Sequence, residues 1–441
     1  MIVTTHTGQK NAVETERRSE QQLPRLPSTV EETGLNFLFL VELLTKILFM
    51  RGQLRLIEIA KYSKLSVGVL ESLLAFMRTE RLCEVSRSSE TETSTSYNLT
   101  ELGRLRAEDF LQKSQYVGAA PVSLQAYINQ VHKQSVADMV VTRERLNKVF
   151  SGLVVKESIL RQFGAAMNSG RAIFVYGPAG SGKTFLAEHL SGLLSGNVAI
   201  PHAIVVDNEV IQVFDLHAHV PLLPDGGGAL HLDRRQAGDQ RWVLCHRPII
   251  KTGGELTLSM LDLDFNESAR FYQAPPQVKA NNGLLLIDDL GRQITPAIDI
   301  MNRWIVPLDR HEDYLALHTG KKFMIPFDVI VVFSTNMPPS ELADEAFLRR
   351  LGYKIYVGPL DEDAYRIIAR QVCSELQIPF NEKGLDYLLN EHHYKEDRPL
   401  MACIPREILS QARDVARYEG APPELSEVFL DWAWNNHFAH D

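Results

Sequence analysis

An apolar run, a glycine-rich turn and an amphipathic helical pattern follow one another in AIFVYGPAGSGKTFLAEHL (172–190). The turn, GPAGSGKT (177–184), fits the pattern G-x-x-x-x-G-K-[ST] and stands between a strand and a helix, as its mechanism requires. The backbone N–H groups of such a turn point inward, and the N-terminus of the next helix adds a partial positive charge, so phosphate is attracted there. The stretch therefore predicts an α/β fold with a phosphate-binding loop.

The side chains of this turn are the first candidate ligands of a nucleotide. Lys183 is placed to reach the outer phosphates, and the hydroxyl of Thr184 is placed to bind Mg²⁺. The predicted nucleotide-binding residues of the turn are Gly177, Pro178, Ala179, Gly180, Ser181, Gly182, Lys183, Thr184 and Phe185.

A second apolar run, LLLIDD (284–289), ends in two carboxylates about a hundred residues after the turn. A buried strand here would carry Asp288 to the sheet edge beside the glycine-rich turn, where its carboxylate can bind the Mg²⁺ shell. Asp289 is then placed to orient or deprotonate the attacking water. Many hydrolytic versions of this motif have Glu at the second position, so the one-methylene-shorter Asp289 leaves the rate of hydrolysis open.

A third apolar run, DVIVVFSTNMPP (328–339), ends in Ser-Thr-Asn. Together with ADEAFLRRLGYKI (343–355) and IPREIL (404–409), the three runs resemble an AAA+ ATPase over about residues 150–441. This resemblance implies an αβα core with a C-terminal helical lid. It also implies ATP and Mg²⁺ as ligands, and assembly into a homo-oligomer, a hexameric ring or a filament, that remodels a protein client.

The same resemblance implies roles for single polar residues. Asn336 matches the residue that contacts the γ-phosphate or the attacking water. Arg350, with Arg349 as the alternative, matches the arginine that reaches into a neighbouring subunit's site, and Arg406 matches the arginine of the lid. Without the motif context, Asn336 would be expected to cap a turn and the arginines to interact with helix ends.

The AAA+ branch stays open. The segment 287–305 resembles MoxR-like ATPases, the segment 279–289 resembles enhancer-binding ATPases, and the Asp-Asp pair resembles helicase loaders and initiators. Arg292 is interpreted as a branch-specific contact. The stretch GGELTL (253–258) is either a substrate-engaging loop or a plain surface hairpin.

The segment 31–115 resembles a winged helix-turn-helix, because helical patterns at 37–50, 54–64 and 65–82 precede two strand-like pieces and a helix from 101. It contains 11 basic and 12 acidic residues. The expected groove-reading helix has no Lys, Arg, Asn or Gln before Arg78, and the expected wing contains Glu90 and Glu92. Base readout depends on the missing side chains, so we expect this unit to dock a protein rather than DNA.

These patterns divide the chain into five parts. The expected division is a flexible tail at 1–30, a winged-helix domain at 31–115, a linker with a lead-in helix at 116–150, an AAA+ core at 151–360 and a helical lid at 361–441. The charged segment LDRRQAGDQR (232–241) is expected to be a solvated loop. His217 and His219 alternate as on a strand, and the pair His392–His393 is expected in a polar loop.

Composition excludes several classes of protein. The net charge of −9 argues against non-specific coating of nucleic acid. The four cysteines, Cys83, Cys245, Cys373 and Cys403, form no C-x-x-C pair and are expected to be reduced core thiols. The apolar run 37–50 is too short to span a bilayer and the N-terminus has no signal peptide, so a cytoplasmic protein is expected. A DNA-associated ATPase and an ATP-gated scaffold with weak hydrolysis remain the alternative functions.

Overall fold

The computed structural model describes residues 23–87, 95–222, 238–342 and 345–438. Most of the expected tail, the acidic part of the expected wing with Glu90 and Glu92, and residues 232–237 of the charged segment lie outside these ranges. Among the described residues, no helix is long and apolar enough to cross a membrane.

The N-terminal unit consists of four helices and a three-stranded sheet in the order β1-β3-β2. Its elements are α1 (Phe37–Arg51), β1 (Leu54–Arg55), α2 (Leu56–Ser63), α3 (Val67–Thr79), β2 (Cys83–Arg87), β3 (Ser96–Leu99) and α4 (Glu101–Lys113). Asn36 caps α1 by accepting a hydrogen bond from the Leu38 amide, and Ser66 caps α3 in the same way through Val69. The expected helix 54–64 begins instead with the two-residue strand β1, which pairs with β3.

The central part of the chain alternates strands and helices. Its first elements are β4 (Val122–Ser123), α5 (Leu124–Lys133), α6 (Arg143–Val149), α7 (Glu157–Ser169), β5 (Ile173–Tyr176), α8 (Lys183–His189), β6 (Asn197–Pro201), β7 (Ala203–Val206) and β8 (Glu209–Gln212). They are followed by β9 (Trp242–His246), β10 (Ile249–Thr252), β11 (Asp264–Asn266), β12 (Phe271–Gln273), α9 (Pro276–Lys279), β13 (Leu284–Ile287), α10 (Ala297–Arg303), α11 (Ile305–Arg310), β14 (Glu312–Ala316), β15 (Lys322–Pro326), β16 (Ile330–Thr335), α12 (Pro339–Leu342), α13 (Glu345–Leu348) and β17 (Tyr353–Tyr356).

Five of these strands form a parallel sheet in the order β10-β13-β16-β5-β17. Ile173 and Val175 pack with α7 and α8 on one face of the sheet, whereas Phe174 packs with α10 on the other. Because both faces are covered, the strands are continuous apolar runs rather than alternating ones. The strands expected at 172–176 and 284–287, and the third expected apolar strand, are confirmed as β5, β13 and β16.

A second sheet, in the order β11-β12-β8-β7-β4, is built from β4, which precedes the first sheet in the chain, and from segments between β5 and β13. Strand β4 belongs to this sheet, and helix α5 packs in the core beside it. The segment 116–150, which was expected to be a linker, is therefore largely part of a packed unit. Ala203 and Val210 of this sheet also pack against the core of the N-terminal unit. The second sheet therefore joins the N-terminal unit to the parallel sheet.

The C-terminal part is helical, as expected for residues 361–441. It contains α14 (Glu362–Leu376), α15 (Glu382–Tyr387), a π-helix (Leu388–Tyr394), α16 (Ile404–Tyr418) and α17 (Glu427–His437). The polar loop expected at His392–His393 was wrong: both histidines are buried in the π-helix and pack against Trp434. The strand expected at His217 and His219 was also wrong, because the chain turns there after β8.

Asp239 and Arg241 of the charged segment are buried, which corrects the solvated loop expected there. Asp239 is 2% exposed and Arg241 is 4% exposed, and they form an ion pair with an Nη2–Oδ2 distance of 2.8 Å. Arg241 also donates to the carbonyls of Thr33 and Pro121. This guanidinium therefore ties the start of the N-terminal unit and the entry to β4 to the residues that lead into β9.

We expect Arg241→Met to destabilise the protein by about 3 to 5 kcal/mol, because it leaves the buried Asp239 carboxylate without its cation. The measurement is urea unfolding of the full chain. The matched control is Arg143→Met, which removes an ion pair with Glu157 whose side chains are 77% and 53% exposed. Exposed pairs contribute less than about 1 kcal/mol. Equal losses in the two variants would contradict a stabilising role for the buried pair.

Candidate functional site

The candidate site lies where three neighbouring strands of the parallel sheet end. Tyr176 at the end of β5 pairs with Thr335 of β16, and Ile287 at the end of β13 pairs with Phe333 of the same strand. The glycine-rich turn follows β5, Asp288 follows β13 and Asn336 follows β16. In open α/β sheets, ligands bind at the carboxyl ends of strands where the strand order reverses, and β5 is inserted at such a point.

Hydrogen bonds bring four of the predicted residues together. The Lys183 ammonium group donates to the Pro178 carbonyl at 2.8 Å and to Oδ1 of Asn336 at 2.7 Å. The Thr184 hydroxyl donates to Oδ1 of Asp288 at 2.9 Å. Burial lowers the pKa of Lys183, whereas the nearby carboxylates of Asp289 and Asp288 oppose that shift. The cluster therefore combines a buried cation with oxygen and amide groups at one point.

Two glycines of the turn have conformations that only glycine adopts readily. Gly177 has φ of 148°, and a Cβ atom there would come within 2.1 Å of the Val357 carbonyl oxygen. Gly180 has φ of 78°, and a Cβ atom there would come within 2.5 Å of the Cys403 sulfur. The Cys403 amide also donates to the Gly180 carbonyl at 3.0 Å. The turn is thus packed against β17's exit on one side and the C-terminal helices on the other.

A cavity of about 1060 Å³ opens beside the turn, between the parallel sheet and the C-terminal helices. Its apolar wall comprises Leu153, Val155 and Ile159 around the start of α7, and Ile368 and Val372 of α14. Its polar wall includes the turn residues from Ala179 to Phe185, together with Asp289, Arg292 and Asn336. An apolar wall facing a glycine-rich turn that carries a buried lysine suits a ligand with a flat base and an anionic tail.

The predicted arginines separate into two groups. Arg406, at the start of α16, lines the cavity, and its Nη2 atom lies 2.5 Å from Oε2 of Glu375. Of the residues that the structure describes, Arg349 and Arg350 do not line the cavity. Arg350 lies 3.8 Å from Asp309 at the end of α11, and Arg349 is exposed. The chain's own cavity is therefore lined by Arg406 of the C-terminal helices but not by Arg349 or Arg350.

Asp289 lines the cavity and is exposed, but its backbone is unusual. Its φ is 50°, in the left-handed region, where Asp is tolerated better than most residues but still at a cost of about 1 to 3 kcal/mol. Its amide donates to Oδ1 of Asp288 at 3.0 Å. A strained residue of this kind persists only where its surroundings hold it, and such positions cluster at functional sites.

An ion pair beside Asp288 was not predicted from the sequence. Lys251 of β10 lies 2.5 Å from Oε1 of Glu188 in α8 and 4.0 Å from Oδ2 of Asp288. Its hydrogen bond with Glu188 raises the pKa of Lys251. No pattern in the sequence indicates this pair, because its two members come from elements more than sixty residues apart.

The residues present fit a nucleotide and a magnesium ion. The Ser181 hydroxyl in the turn is buried and has no hydrogen-bond partner among the described residues, so it is available to a ligand. Thr184 and Asp288 supply a hydroxyl and a carboxylate oxygen, the hard ligands that Mg²⁺ takes from proteins while it keeps several waters. The cavity is large enough for a nucleoside triphosphate.

Comparison with known proteins gives one family match in the C-terminal part. A family described as a domain of unknown function (DUF8689) matches residues 361–436. The match covers almost the same residues as helices α14 to α17. No curated protein matches this sequence.

Solved structures with partial similarity include two of NtrX and one of RuvB. NtrX from Brucella abortus in complex with ADP is 13% identical with a TM-score of 0.40, covering 68% of this chain and 58% of that chain. A second NtrX structure from Brucella abortus is 12% identical with a TM-score of 0.41, covering 66% and 57%. A mutant of RuvB from Thermotoga maritima is 12% identical with a TM-score of 0.36, covering 70% and 74%. This chain therefore spans less than two thirds of the NtrX chains that it matches.

We expect Gly180→Ala to destabilise the protein more than Gly320→Ala, because only the first crowds the C-terminal helices. Both glycines have a left-handed backbone, with φ of 78° and 84°, but nothing lies within 4 Å of a Cβ atom at Gly320. The difference in unfolding free energy isolates the contact with Cys403 and is expected to be about 1 to 3 kcal/mol. Urea unfolding of both variants measures it, and equal losses would contradict the packing of the turn against Cys403.

Proposed function

We propose that this chain is a Mg²⁺-dependent AAA+ ATPase that oligomerises and remodels a protein partner. The observation that carries the proposal is the convergence of Lys183, Thr184, Asp288 and Asn336 at three strand ends beside a nucleotide-sized cavity. These residues are the ones that phosphoryl transfer requires: a cation for the outer phosphates, oxygen ligands for the metal and a polar group facing the γ-phosphate.

In this proposal each polar side chain has one task. Lys183 binds the outer phosphates, and exchanges its present contact with Asn336 for them. Thr184 and Asp288 hold Mg²⁺, which supplies charge neutralisation to the phosphates. Asn336 positions the attacking water, and Asp289 accepts its proton. The apolar wall around Val155 and Ile368 binds the base and excludes water from it.

The position of the candidate finger supports the proposed oligomerisation. Arg350 lies outside the cavity of its own chain, so it serves catalysis only if it reaches the cavity of a neighbouring subunit. An arginine supplied in this way stabilises the charge that develops on the transferring phosphoryl group. Arg406 of the lid contacts the same nucleotide from its own subunit, so hydrolysis changes how the lid is held against the core.

In this proposal the N-terminal unit is a winged helix that docks a protein. The element order and the β1-β3-β2 sheet support the winged-helix interpretation. The N-terminal turn of α3, which would enter a DNA groove, is covered: the Ser66 hydroxyl donates to the Pro27 carbonyl, and Ser28 lies against Gly68. The exposed positions of α3 before Arg78 include Glu71, Ser72 and Ala75, which supply no cation for a phosphate backbone.

We expect Lys183→Ala to abolish nucleotide binding, because it removes the cation that contacts the outer phosphates. Loss of such a charge-assisted contact costs about 2 to 5 kcal/mol, which weakens binding by about 30-fold or more. Isothermal titration with Mg²⁺-ATP and with ADP measures the change. Lys148→Ala, an exposed lysine of α6, is the matched control. An unchanged affinity of Lys183→Ala for both nucleotides would contradict the proposed nucleotide site.

We expect Arg350→Ala to bind ATP normally and to lose turnover by about 1000-fold or more, because the finger acts only on the transition state. Steady-state phosphate release measures turnover, and Arg349→Ala tests the alternative finger. Mixing Arg350→Ala with Lys183→Ala subunits should restore part of the activity, since an interface in which the Arg350→Ala subunit supplies the cavity and the Lys183→Ala subunit supplies the finger keeps both parts intact. If Arg350→Ala and Arg349→Ala both kept full turnover, the finger assignment would be wrong.

A further inference from the structure

Gln293 is a buried side chain that contacts the turn carrying Asp289. It is 9% exposed and follows β13 by six residues. Its Oε1 atom accepts a hydrogen bond from the Gly291 amide at 2.8 Å, and its Nε2 atom donates to the Asp288 carbonyl at 3.2 Å. Both contacts are to the backbone on either side of Asp289, so this amide closes the turn from within.

Other hydrogen bonds also hold the turn: the Asp289 amide donates to Oδ1 of Asp288 at 3.0 Å, and the Arg292 amide donates to the Asp289 carbonyl at 2.9 Å. The Leu290 amide donates to the Ser334 carbonyl at 2.8 Å, and the Thr335 hydroxyl donates to the Leu290 carbonyl at 2.7 Å. These two bonds attach Leu290 to β16. The contacts of Gln293 with the Gly291 amide and the Asp288 carbonyl add a side-chain restraint on both sides of Asp289, which has a left-handed conformation.

The same side chain also reaches a second loop. Its Nε2 atom donates to the Gly253 carbonyl at 3.2 Å, at the point where the chain leaves β10. The loop 253–258 that starts there is anchored by the buried side chain of Leu256. Its Gly253 amide donates a hydrogen bond to Oε1 of Glu255. One amide therefore joins the turn of Asp289 to the loop 253–258.

We propose that Gln293 is a positioning residue that sets the geometry of Asp289 and ties it to the loop 253–258. The inference rests on the proposed ATPase function, because Asp289 is the base in that reaction. A partner that displaces the loop at Gly253 would pull on the Gln293 amide, and the Asp289 carboxylate would leave its position in the cavity. Gln293 itself touches neither phosphate nor water in this scheme.

Two substitutions test the role of the amide. Gln293→Ala removes all three hydrogen bonds, whereas Gln293→Glu keeps the shape and the acceptor but replaces the donor with an oxygen that faces two carbonyls. Both variants should lose turnover by about 10- to 100-fold, since a displacement of about 1 Å in a catalytic group has that effect. Both should keep the wild-type affinity for ADP measured without Mg²⁺, because the hydrogen bonds of Gln293 go to Asp288, Gly291 and Gly253 and not to the glycine-rich turn.

The matched control is Gln277→Ala. Gln277 is a buried glutamine whose Nε2 atom donates to the Leu261 carbonyl and to Asp313, outside the cavity. This variant should lose thermal stability as Gln293→Ala does, but it should keep wild-type turnover. Asp289→Asn is the reference for complete loss of the base.

Hydrogen–deuterium exchange of the full chain adds a readout that does not depend on turnover. Peptides covering 288–293 and 253–258 should both exchange faster in Gln293→Ala than in wild type. Unchanged exchange would overturn the proposed link, and faster exchange with unchanged turnover would overturn the positioning role. A wild-type protein that binds ADP without hydrolysing ATP would instead refute the ATPase proposal. This outcome is separate from the Gln293 test, because it is measured on the wild-type protein with Lys183→Ala as the comparison.

Discussion

The hydrogen bond between the Thr184 hydroxyl and the Asp288 carboxylate joins residues that are 104 positions apart in the chain. It forms because their strands, β5 and β13, lie on either side of β16 in one parallel sheet and end at the same edge. The bond between Lys183 and Asn336 spans 153 positions for the same reason. Parallel order thus brings the polar ends of three separate apolar runs to a single point, and every proposed step of catalysis depends on that point.

The C-terminal helices complete the site rather than merely follow it. Cys403 packs against Gly180, and the Cys403 amide donates a hydrogen bond to the Gly180 carbonyl. The C-terminal helices therefore contact the glycine-rich turn directly. Arg406 and the apolar side chains of α14 then face the cavity across from the sheet. A ligand in this cavity contacts both parts at once. Its binding and release are therefore expected to change the contact between them, which is how a nucleotide can drive a movement.

The second sheet connects the N-terminal unit to the core. Its strands pack against that unit through Ala203 and Val210, and the buried pair of Asp239 and Arg241 fixes the connection with hydrogen bonds to Thr33 and Pro121. Because a buried pair of charges tolerates little displacement, the unit and the sheet are expected to move together. A partner held by the N-terminal unit would then be displaced with the core, which suits the remodelling function that we propose.

Local patterns were sufficient to predict the glycine-rich turn, the three apolar strands of the parallel sheet and most helices, since each of these is specified by residues adjacent in the chain. The same patterns also pointed to the residues that meet at the strand ends, because a parallel sheet places those ends together. They missed the second sheet, the burial of Asp239 and Arg241, the packing of His392 and His393, and the hydrogen bonds of Gln293. Each of these depends on contacts between segments far apart in the chain, and no local pattern specifies the partner of a charged or short strand-forming segment. Only the tertiary structure brings those partners together, because burial and hydrogen bonding are properties of the folded surroundings rather than of the residue itself.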